Sequence, residues 1–578
     1  MKRFLFSRPF GKGIRGILLL AMLLLNFGYG GTDVAYAAPP AHDDFDSAVL
    51  ITGIEYHDTD NTTQATPSNI VANVDDPTNF PCDGVNHLYG FASVWYTYTP
   101  PETQSISLDT FNTNYDTFIA VWTGTRGALT LRACNDETFE GFSELSFIGT
   151  GGTTYYIEVA QFNDGEGTTD NIGGDLKFNA FITNTNVTVG GDLKGRYFVP
   201  ETGGLRRSFI NLSAGPVEIE NVAGNQLIAA ERVIYRVNGV NTSFSEMMGL
   251  PDNQLDNVYW LPWYNNKSLN TQLRIGNVSN TNATVHVTIG GVEMTGSPYT
   301  LTPGASTRRN YPGIDRGPVK IESNVNIVAA ERVIYKVNGV DTSFTELMAF
   351  PESQLDRFYW MPWYNNKDLD SQLRIANVSP TTATVRVFIG GIQMPGSPFT
   401  LTPGASKRIS YPGVDRGPVR VASSVNIVAA ERVIYKINGV PVSFSEMMGL
   451  PHSQLSTTYW MPWYNNKDLN SQLRFANVSG ALATVRVYIG GVEMTGSPFT
   501  LAAGKSTRKS FAGIDRGPVQ IVSNTNIVAA VRVIYNVNAK PTSFSEMMGL
   551  SNSLLDSRYW MPWYNNVDLN TQLRFALP

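Results

Sequence analysis

The octet YWMPWYNN occupies residues 359–366 and returns unchanged at 459–466 and 559–566, while residues 259–266 differ from it by one Leu in place of Met. Eight of the chain's ten Trp lie in these four octets. A second motif keeps the same interval of 100 residues: AAERVIYRVNG begins at Ala229 and recurs at 329, 429 and 529. A period of this length is longer than a propeller blade and is the size of a whole β-sandwich domain.

One period can be divided into elements from residue 371 onward. SQLRIANVS (371–379) and TATVRVFIGG (382–391) alternate apolar and polar residues and predict strands. Later in the period, Ser443 is followed three residues on by Glu446, which is a capping-box pattern, and Gly449-Leu450-Pro451 can end a helix. We therefore expect one short helix of about two turns per repeat, between β-segments.

The predicted fold class is all-β: a jelly-roll-like β-sandwich followed by a tandem array of immunoglobulin-like β-sandwiches, each with one short helix. Abundant Gly, Thr, Asn and Val and a charged fraction of 16% agree with many strands and turns. The predicted segments are a signal peptide (1–37), a first sandwich (41–183), and four repeats (184–280, 281–380, 381–480 and 481–578, the last one a candidate incomplete copy).

The sequence leaves open where each repeat begins and which sandwich an octet hairpin belongs to, and three interpretations are possible. Each octet hairpin can complete the sandwich before it, which gives the boundaries above and is the one we favour. Alternatively the hairpin opens the following sandwich, so that the first unit lacks two strands and the last hairpin is donated to it, within one chain or between chains. The third interpretation is a truncated last copy, because RFALP (574–578) breaks off where other copies read RFANVS or RIANVS.

The N-terminus predicts export. Lys2, Arg3 and Arg8 begin a basic region, residues 17–27 form a short apolar stretch, and Ala35-Tyr36-Ala37 is a small-x-small cleavage site, so we place the cut before Ala38. An uncleaved N-terminal anchor is the alternative. We expect no membrane span in the mature chain, and a secreted, extracellular or cell-surface location. The net charge of −6, with no basic run, argues against nucleic acid as a partner.

The first domain resembles a known bacterial family. SVWYTY (93–98), SLDTFNTNYDTFIAVWTG (107–124), RACNDE (132–137) and GGTTYYIEVAQF (151–162) follow one another in the order typical of the pre-peptidase C-terminal domain. The resemblance implies a non-catalytic, jelly-roll-like sandwich of secreted proteins. The 100-residue repeats look like tandem immunoglobulin-like modules of secreted bacterial surface proteins, which imply no particular activity.

Two further features of the first domain are candidate sites. Cys82 and Cys134 are the only two cysteines, and after export we expect them to form a disulfide. The acidic stretch FNDGEGTTDNIGGD (162–175) could bind calcium through oxygen ligands, although it lacks EF-hand spacing and a solvated acidic loop is the simpler interpretation. The candidate calcium ligands are Asp164, Glu166, Asp170 and Asp175. No other cofactor is expected.

We expect no catalytic activity. The repeats contain only His286 and His452, at non-equivalent positions, and no Cys, and no catalytic signature is present. Glu231, Glu331 and Glu431 recur in AAERV, but the fourth copy has Val531, so we assign the Glu to cross-strand ion pairs. The repeated Asp-Arg of DRGPV (315–319 and its copies) is assigned to a turn with a local ion pair.

The octet itself has two interpretations. Its Trp and Tyr could stack on sugar rings while its Asn bonds to hydroxyls. We favour the alternative, in which the aromatic residues fill the sandwich core and a seam between modules. The candidate glycan or partner contacts are Trp263, Tyr264, Asn266, Trp363, Tyr364, Asn366, Trp463, Tyr464, Asn466, Trp563, Tyr564 and Asn566.

These observations favour a non-enzymatic exported protein of the cell surface or extracellular matrix, with a sandwich head on a repeat stalk that makes structural or adhesive contacts. The alternatives are a glycan-binding adhesin that uses the octets and the accessory region of a secreted hydrolase or peptidase. Expected partners are an envelope or extracellular protein or glycan, or a second copy through the C-terminal hairpin. Four modules in line would make a rod of about 120–160 Å.

Overall fold

In a computed structural model, the chain is described over residues 38–53, 55–66, 80–82, 85–87, 90–136, 141–162, 173–537 and 540–578. The predicted signal peptide (1–37) lies outside these residues. Across the described residues, no helix combines the length and the apolar character needed to cross a bilayer.

The first domain is a sandwich of two sheets. Apolar residues that alternate along the strands meet between the sheets, among them Val94, Ile157, Leu108 and Phe178, each with no exposed surface. The strands are β1 (Val49–Leu50), β2 (Glu55–Asn61), β3 (Phe80–Cys82), β4 (Val85–His87), β5 (Phe91–Tyr98), β6 (Gln104–Asp109), β7 (Thr117–Thr125), β8 (Ala128–Asn135), β9 (Glu144–Gly149), β10 (Tyr155–Gln161) and β11 (Asp175–Ile182). The strand order is β1-β5-β10-β7-β8 in one sheet and β2-β11-β6-β9 in the other.

The rest of the chain forms four similar β units. Their strands, in chain order, are β12 (Thr185–Val189), β13 (Asp192–Tyr197), β14 (Gly204–Arg207), β15 (Ser213–Ala214), β16 (Val217–Asn221), β17 (Ile228–Val237), β18 (Val240–Met248), β19 (Leu250–Pro251), β20 (Asp256–Leu261), β21 (Tyr264–Asn265), β22 (Asn270–Asn277), β23 (Ala283–Ile289), β24 (Val292–Glu293), β25 (Tyr299–Leu301), β26 (Ser306–Arg309), β27 (Asp315–Arg316), β28 (Val319–Val337), β29 (Val340–Met348), β30 (Phe350–Pro351), β31 (Asp356–Met361), β32 (Tyr364–Asn365), β33 (Asp370–Asn377), β34 (Ala383–Ile389), β35 (Ile392–Gln393), β36 (Phe399–Leu401), β37 (Ser406–Ile409), β38 (Asp415–Arg416), β39 (Val419–Ile437), β40 (Val440–Met448), β41 (Leu450–Pro451), β42 (Ser456–Met461), β43 (Tyr464–Asn465), β44 (Asn470–Asn477), β45 (Ala483–Ile489), β46 (Val492–Glu493), β47 (Phe499–Leu501), β48 (Ser506–Lys509), β49 (Asp515–Arg516), β50 (Val519–Val537), β51 (Lys540–Met548), β52 (Leu550–Ser551), β53 (Arg558–Met561), β54 (Tyr564–Asn565) and β55 (Asn570–Ala576).

In each unit one long strand belongs to two layers. The first half of β28 pairs with β23 and β20 and forms the outer sheet, and its second half pairs with β22 and β29 and forms the inner sheet. Buried aliphatic side chains such as Val287, Leu273 and Ile321 fill the space between the layers. The all-β fold class is therefore confirmed, with repeated two-layered β units.

The octet hairpins pair forward along the chain. β20 and β22, which lie at the end of the predicted repeat 184–280, pair with β28 of the next one. The boundaries at 280, 380 and 480 were drawn by assigning each hairpin to the preceding sandwich, and the hydrogen-bonded units do not follow them. We define unit 2 as residues 256–354, unit 3 as 356–454 and unit 4 as 456–554.

Unit 1 is assembled from both ends of the repeat region. Residues 185–254 supply β12–β19, and residues 556–577 supply the missing octet hairpin. β55 lies between β14 and β17, with Leu573 opposite Glu231, and β53 pairs with β16. Donation of the last hairpin to the first unit within one chain is thus the arrangement that the structure has.

The four units form a closed ring, and the expected rod is wrong. The inner strands β18, β29, β40 and β51 each adjoin the inner strands of both neighbouring units, and β18 adjoins β51. The same aromatic pair recurs at all four interfaces. It joins Tyr235 to Phe344, Tyr335 to Phe444, Tyr435 to Phe544 and Tyr535 to Phe244, with ring centroids 5.1–5.2 Å apart.

The helix predicted from Ser443 is also wrong, because the segment is strand β40. Asn438 and Gly439 have φ angles of 52° and 79°, the left-handed geometry of a two-residue hairpin turn, which returns the chain antiparallel to β39. A 3-10 turn follows each inner strand instead, at Asp252–Gln254, Glu352–Gln354, His452–Gln454 and Asn552–Leu554. A further 3-10 turn, Phe45–Ser47, lies in the first domain.

The first domain docks on unit 1. Phe181 of β11 stacks on Phe198 at a centroid distance of 4.3 Å and an angle of 9° between ring planes. Arg207 of β14 donates to Glu144 of β9, at 2.5 Å between Nη2 and Oε1, and lies over the ring of Tyr197. Burial raises the pKa of the neighbouring Asp109 carboxyl to about 6.

Ring closure predicts that Phe575 is as important as its equivalent Phe475 inside unit 4. Both side chains are fully buried. We expect Phe575→Ala and Phe475→Ala each to lower the free energy of unfolding by about 3–5 kcal/mol, because each leaves a cavity in an equivalent core. Chemical denaturation of the mature chain measures both. If Phe575→Ala had no effect while Phe475→Ala was destabilising, the hairpin would not be packed in unit 1.

Candidate functional site

The ring interfaces are built from the repeated motif SFSEMM. The backbone N–H of Glu346 donates to Ser245 Oγ of unit 1 at 2.9 Å. Equivalent bonds run from Glu446 to Thr345, from Glu546 to Ser445 and, closing the circle, from Glu246 to Ser545, at 2.9–3.2 Å. The side-chain hydroxyls of Ser245, Thr345, Ser445 and Ser545 therefore accept hydrogen bonds that join consecutive units.

A buried cluster of Arg and Glu lies beside each of these bonds. Arg332 pairs with Glu346 directly across strands β28 and β29, with Nη2 and Oε1 2.5 Å apart. Units 3 and 4 repeat the pair with Arg432–Glu446 and Arg532–Glu546, and in unit 1 Arg574 of the donated hairpin pairs with Glu246 at 2.7 Å. The second Arg of each cluster comes from QLR, and burial lowers the pKa of Arg374 to about 9.

Within the part of the chain that the structure describes, the Glu of AAERV makes no cross-strand ion pair, which corrects our assignment. Glu331 lies opposite Leu347 and Leu273, and its Oε2 has no hydrogen-bond partner. Burial, and then the nearby carboxylate of Glu446, raise the pKa of the Glu331 carboxyl well above its usual range. The fourth copy has Val531 at this position, and the interface between units 4 and 1 forms with Glu246 as its one carboxylate. The Glu of AAERV is therefore not needed to pair with the Arg side chains of an interface.

A cavity of about 150 Å³ lies on the ring axis where the four inner strands end. Its lining repeats around the axis and comprises Glu246, Met247, Met248, Gly249, Leu250, Pro251 and Gln254 with the corresponding residues of units 2, 3 and 4 up to Leu550. Thioethers and aliphatic groups dominate this lining, and a cavity of similar size in an apolar protein core can hold a benzene-sized molecule. Each of the four Glu at this end of the ring is paired with a buried Arg.

The octets lie at the seam between units, as we favoured. Tyr264 has no exposed surface, and its hydroxyl donates to Thr271 O and accepts from Tyr311 N–H. Burial raises its pKa to about 12. Asn266 donates its backbone N–H to Ile314 O at 2.7 Å. Tyr364, Tyr464 and Tyr564 are equally buried, so these phenols cannot reach an external sugar.

The second Trp of each octet spans an interface. The indole N–H of Trp263 donates to Asp315 at 2.8 Å, and its ring lies under Arg408 and Arg374 of unit 3 at 4.8 and 5.7 Å. Trp363 and Trp463 repeat the bond to Asp415 and Asp515, and Trp563 lies under Arg274. The Asp of DRGPV is therefore an indole acceptor, and the local Asp–Arg ion pair that we expected is not seen among the described residues.

The remaining candidate residues of the octets are placed as follows. Asn366 and Asn466 donate their backbone N–H groups to residues 414 and 514, and Asn566 donates to Leu212, at 2.7 Å in each case. This equivalence extends the seam to unit 1. The forward pairing was missed because the sequence does not say which neighbour a hairpin joins. One sequence signal could have indicated the pairing: every repeat has both the Arg of QLR, such as Arg274, and the Glu of SFSEMM, which can form a buried ion pair.

The two candidate sites of the first domain are only partly described. The Cys82–Cys134 disulfide stays a prediction, since the side chain of Cys82 lies outside the described part; the backbone of β3 lies beside β8, which carries Cys134. Asp164, Glu166 and Asp170 also lie outside it. The Asp175 carboxylate accepts from Asn61 at 2.7 Å and Asn114 at 3.4 Å, and no cluster of three metal-binding side chains occurs in the described ranges.

No protein-family profile and no curated protein matches this chain. Similar solved structures include the M60 catalytic domain with the CBM51-1 and CBM51-2 domains from Clostridium perfringens ZmpB, at 8% identity and a TM-score of 0.12; the match covers 64% of this chain and 35% of that one. Another is a glycosyl hydrolase family 2 member from Bacteroides cellulosilyticus (8% identity, TM-score 0.12, 82% and 94% covered). A third is a glycoside hydrolase family 32 protein from Bifidobacterium adolescentis, at 9% identity and a TM-score of 0.15; the match covers 84% of this chain and 97% of that one. Likenesses this weak say nothing about the activity of this chain.

The two buried Glu of an interface should respond in opposite ways to replacement by Val. A carboxyl whose pKa is raised in the folded state contributes stability at low pH, and this contribution is lost as the pH rises through the folded pKa. Glu331→Val, which copies Val531, should therefore raise the melting temperature at pH 8, with a smaller gain at pH 5. Thermal unfolding of the mature chain at both pH values measures this.

The matched control is Glu446→Val at the same interface. This change leaves Arg432 and Arg374 buried without the carboxylate that pairs with both of them and should cost about 3–5 kcal/mol. Equal destabilisation by the two variants at pH 8 would contradict the distinct roles of Glu331 and Glu446.

Proposed function

We propose that this chain is an exported, non-catalytic protein of the cell surface or extracellular matrix, which makes structural or adhesive contacts through the outer faces of a rigid ring. This replaces the stalk of the sequence-based interpretation with a closed scaffold that carries the first domain on one unit. The proposal keeps the predicted signal peptide and the resemblance of the first domain to non-catalytic sandwiches of secreted proteins.

The observation that carries the proposal is the location of the residues that the four repeats share and of the residues that differ between them. Many residues shared by the repeats have interior roles: the octet Tyr, the Arg of AAERV, SFSEMM and the Gly-Pro of DRGPV lie at cores and interfaces, and the shared residues that are exposed include the glycines of turns, such as Gly291 and its copies. The solvent side of the outer sheet differs from unit to unit. For example, the equivalent positions 188, 288, 388 and 488 hold Thr, Thr, Phe and Tyr.

This distribution is typical of repeat scaffolds, in which a common framework holds surfaces that can bind different partners. A catalytic site would need titratable groups fixed in a shared geometry. The most perturbed carboxyls of the ring, Glu231, Glu331 and Glu431, are instead fully buried between units, where no substrate can reach them.

Expression of the complete chain in a secreting bacterial host tests the proposal. We expect a released or surface-held chain that begins at Ala38, with an intact mass lower by two hydrogens than its reduced form because Cys82 and Cys134 are joined. The purified chain should bind a polysaccharide- or protein-coated surface without cleaving it. Retention in the cytoplasm, or chain-dependent release of sugar or peptide fragments, would contradict the proposal.

A further inference from the structure

The outer face of unit 3 differs from the other three faces in both charge and aromatic content. Across strands β34, β39 and β31, Phe388, Arg420 and Trp360 are direct neighbours in one row. The adjacent row is Arg386, Ala422 and Phe358. All six side chains reach solvent at least in part, and at ordinary strand spacing the grid spans about 10 by 7 Å.

Basic side chains at these positions in the other units have carboxylate partners. Lys320 of unit 2 pairs with Glu322, and His286 pairs with Glu293, both at 2.7 Å. In unit 4, Arg486 pairs with Glu493 at 2.7 Å. In unit 1, Arg558 pairs with Glu218 and Glu220.

Unit 3 lacks each of these carboxylates. Ala422 replaces Glu322, Gln393 replaces Glu293 and Glu493, and His452 stands where units 1 and 2 have Asp252 and Glu352. Arg386 and Arg420 accordingly form no ion pair with a carboxylate within the described ranges. The face thus carries two guanidinium groups without a carboxylate partner among the described residues; Arg386 is exposed and Arg420 is half-buried.

Aromatic rings hold Arg420 in place. Its guanidinium lies 4.3 Å from the ring centroid of Phe388 and 5.8 Å from that of Trp360. The indole N–H of Trp360 is fixed in turn by His452 Nδ1 at 3.3 Å, and the ring of His452 lies edge-on to Phe358. A stacked, oriented guanidinium binds a carboxylate with two parallel hydrogen bonds and loses little entropy in doing so.

We propose that the outer face of unit 3 binds an acidic polysaccharide, with the carboxylate of a uronic acid residue on Arg420 and neighbouring sugar rings against Phe388, Trp360 and Phe358. Aromatic side chains offer apolar faces to the C–H faces of sugars, and Arg386 lies where a second polar or anionic group of the chain would reach. The proposal names the partner of the scaffold and so rests on the proposed function.

Charge complementarity favours a polysaccharide with spaced carboxylates over a nucleic acid. A nucleic acid carries one negative charge per nucleotide and needs a track of cations along its backbone. The outer faces of units 1 and 2 bear Glu218, Glu220, Glu322 and Glu352, which would repel such a chain. A polymer in which uronic acid alternates with a neutral sugar places one carboxylate on the patch.

Calorimetric titration of the mature chain with a hyaluronan hexasaccharide tests the proposal, since hyaluronan alternates uronic acid with a neutral amino sugar. Arms with cellohexaose, a heparin hexasaccharide and single-stranded oligo-dT separate uronate recognition from neutral-sugar, sulfate and nucleic-acid binding. We expect saturable binding of the hyaluronan fragment, weaker binding of the other three, and weakening by salt.

The decisive variants copy residues that other units already carry, so that folding is preserved. Arg420→Gln copies Gln520 and should weaken binding roughly tenfold or more, because a charged hydrogen-bond donor is lost. Ala422→Glu copies Glu322 and should have a similar effect by pairing with Arg420. The matched controls Lys320→Gln in unit 2 and Arg486→Asn in unit 4 should bind as the parent does.

Three results would overturn the proposal: no binding of the hexasaccharide, tighter binding of cellohexaose, heparin or oligo-dT, or binding that survives Arg420→Gln and Ala422→Glu. None of these results touches the proposed non-catalytic function, which fails separately if the chain cleaves the oligosaccharides. Mass spectrometry of the recovered hexasaccharide distinguishes the two failures.

Discussion

The pairing of residues 570–576 with the first unit is the constraint on which the rest of the ring depends. β55 fills the gap between β14 and β17, so that unit 1 obtains the hairpin that units 2, 3 and 4 take from the residues just before them. Once this pairing forms, every inner strand has two neighbours. The Ser–Glu bonds, the Arg–Glu clusters and the Tyr–Phe pairs can then repeat at four interfaces rather than three.

Closure also explains why the octet is so strongly repeated. Its Tyr residues anchor a sandwich core, and its second Trp is covered by Arg side chains of the adjacent unit. Each octet therefore serves the core of one unit and the edge of the next. A change in any copy would affect two units, whereas a change on an outer face affects one surface only. Function is thus expected on the outer faces, where the four copies differ.

The sequence predicted the features that depend on local pattern. Alternating residues and glycine-rich turns predicted strands, and the strict interval predicted repeated sandwiches. The prediction failed where two patterns competed or where distance in sequence was large. Ser443 and Glu446 resemble a helix cap, but the Asn438-Gly439 turn and the pairing of β40 with β39 outweigh it. The partner of the last hairpin lies more than 300 residues away, beyond any local signal.

The candidate site shows the same division. The octets could be recognised as a seam from their spacing and from the alternation of side chains along a strand. The outer face of unit 3 could not be recognised from the sequence. It is defined by which strands are adjacent and by the replacement of three carboxylates at positions that are far apart in the sequence. Only the register of β34, β39 and β31 brings Arg386, Arg420, Phe388 and Trp360 together.

Small-angle X-ray scattering of the mature chain tests ring closure most directly. A compact particle of this length should have a radius of gyration of about 24–28 Å. Modules in a line of about 120–160 Å would give at least about 35 Å and an extended pair-distance distribution. A value below 30 Å is what a closed ring predicts, and the larger value with an extended distribution would contradict it.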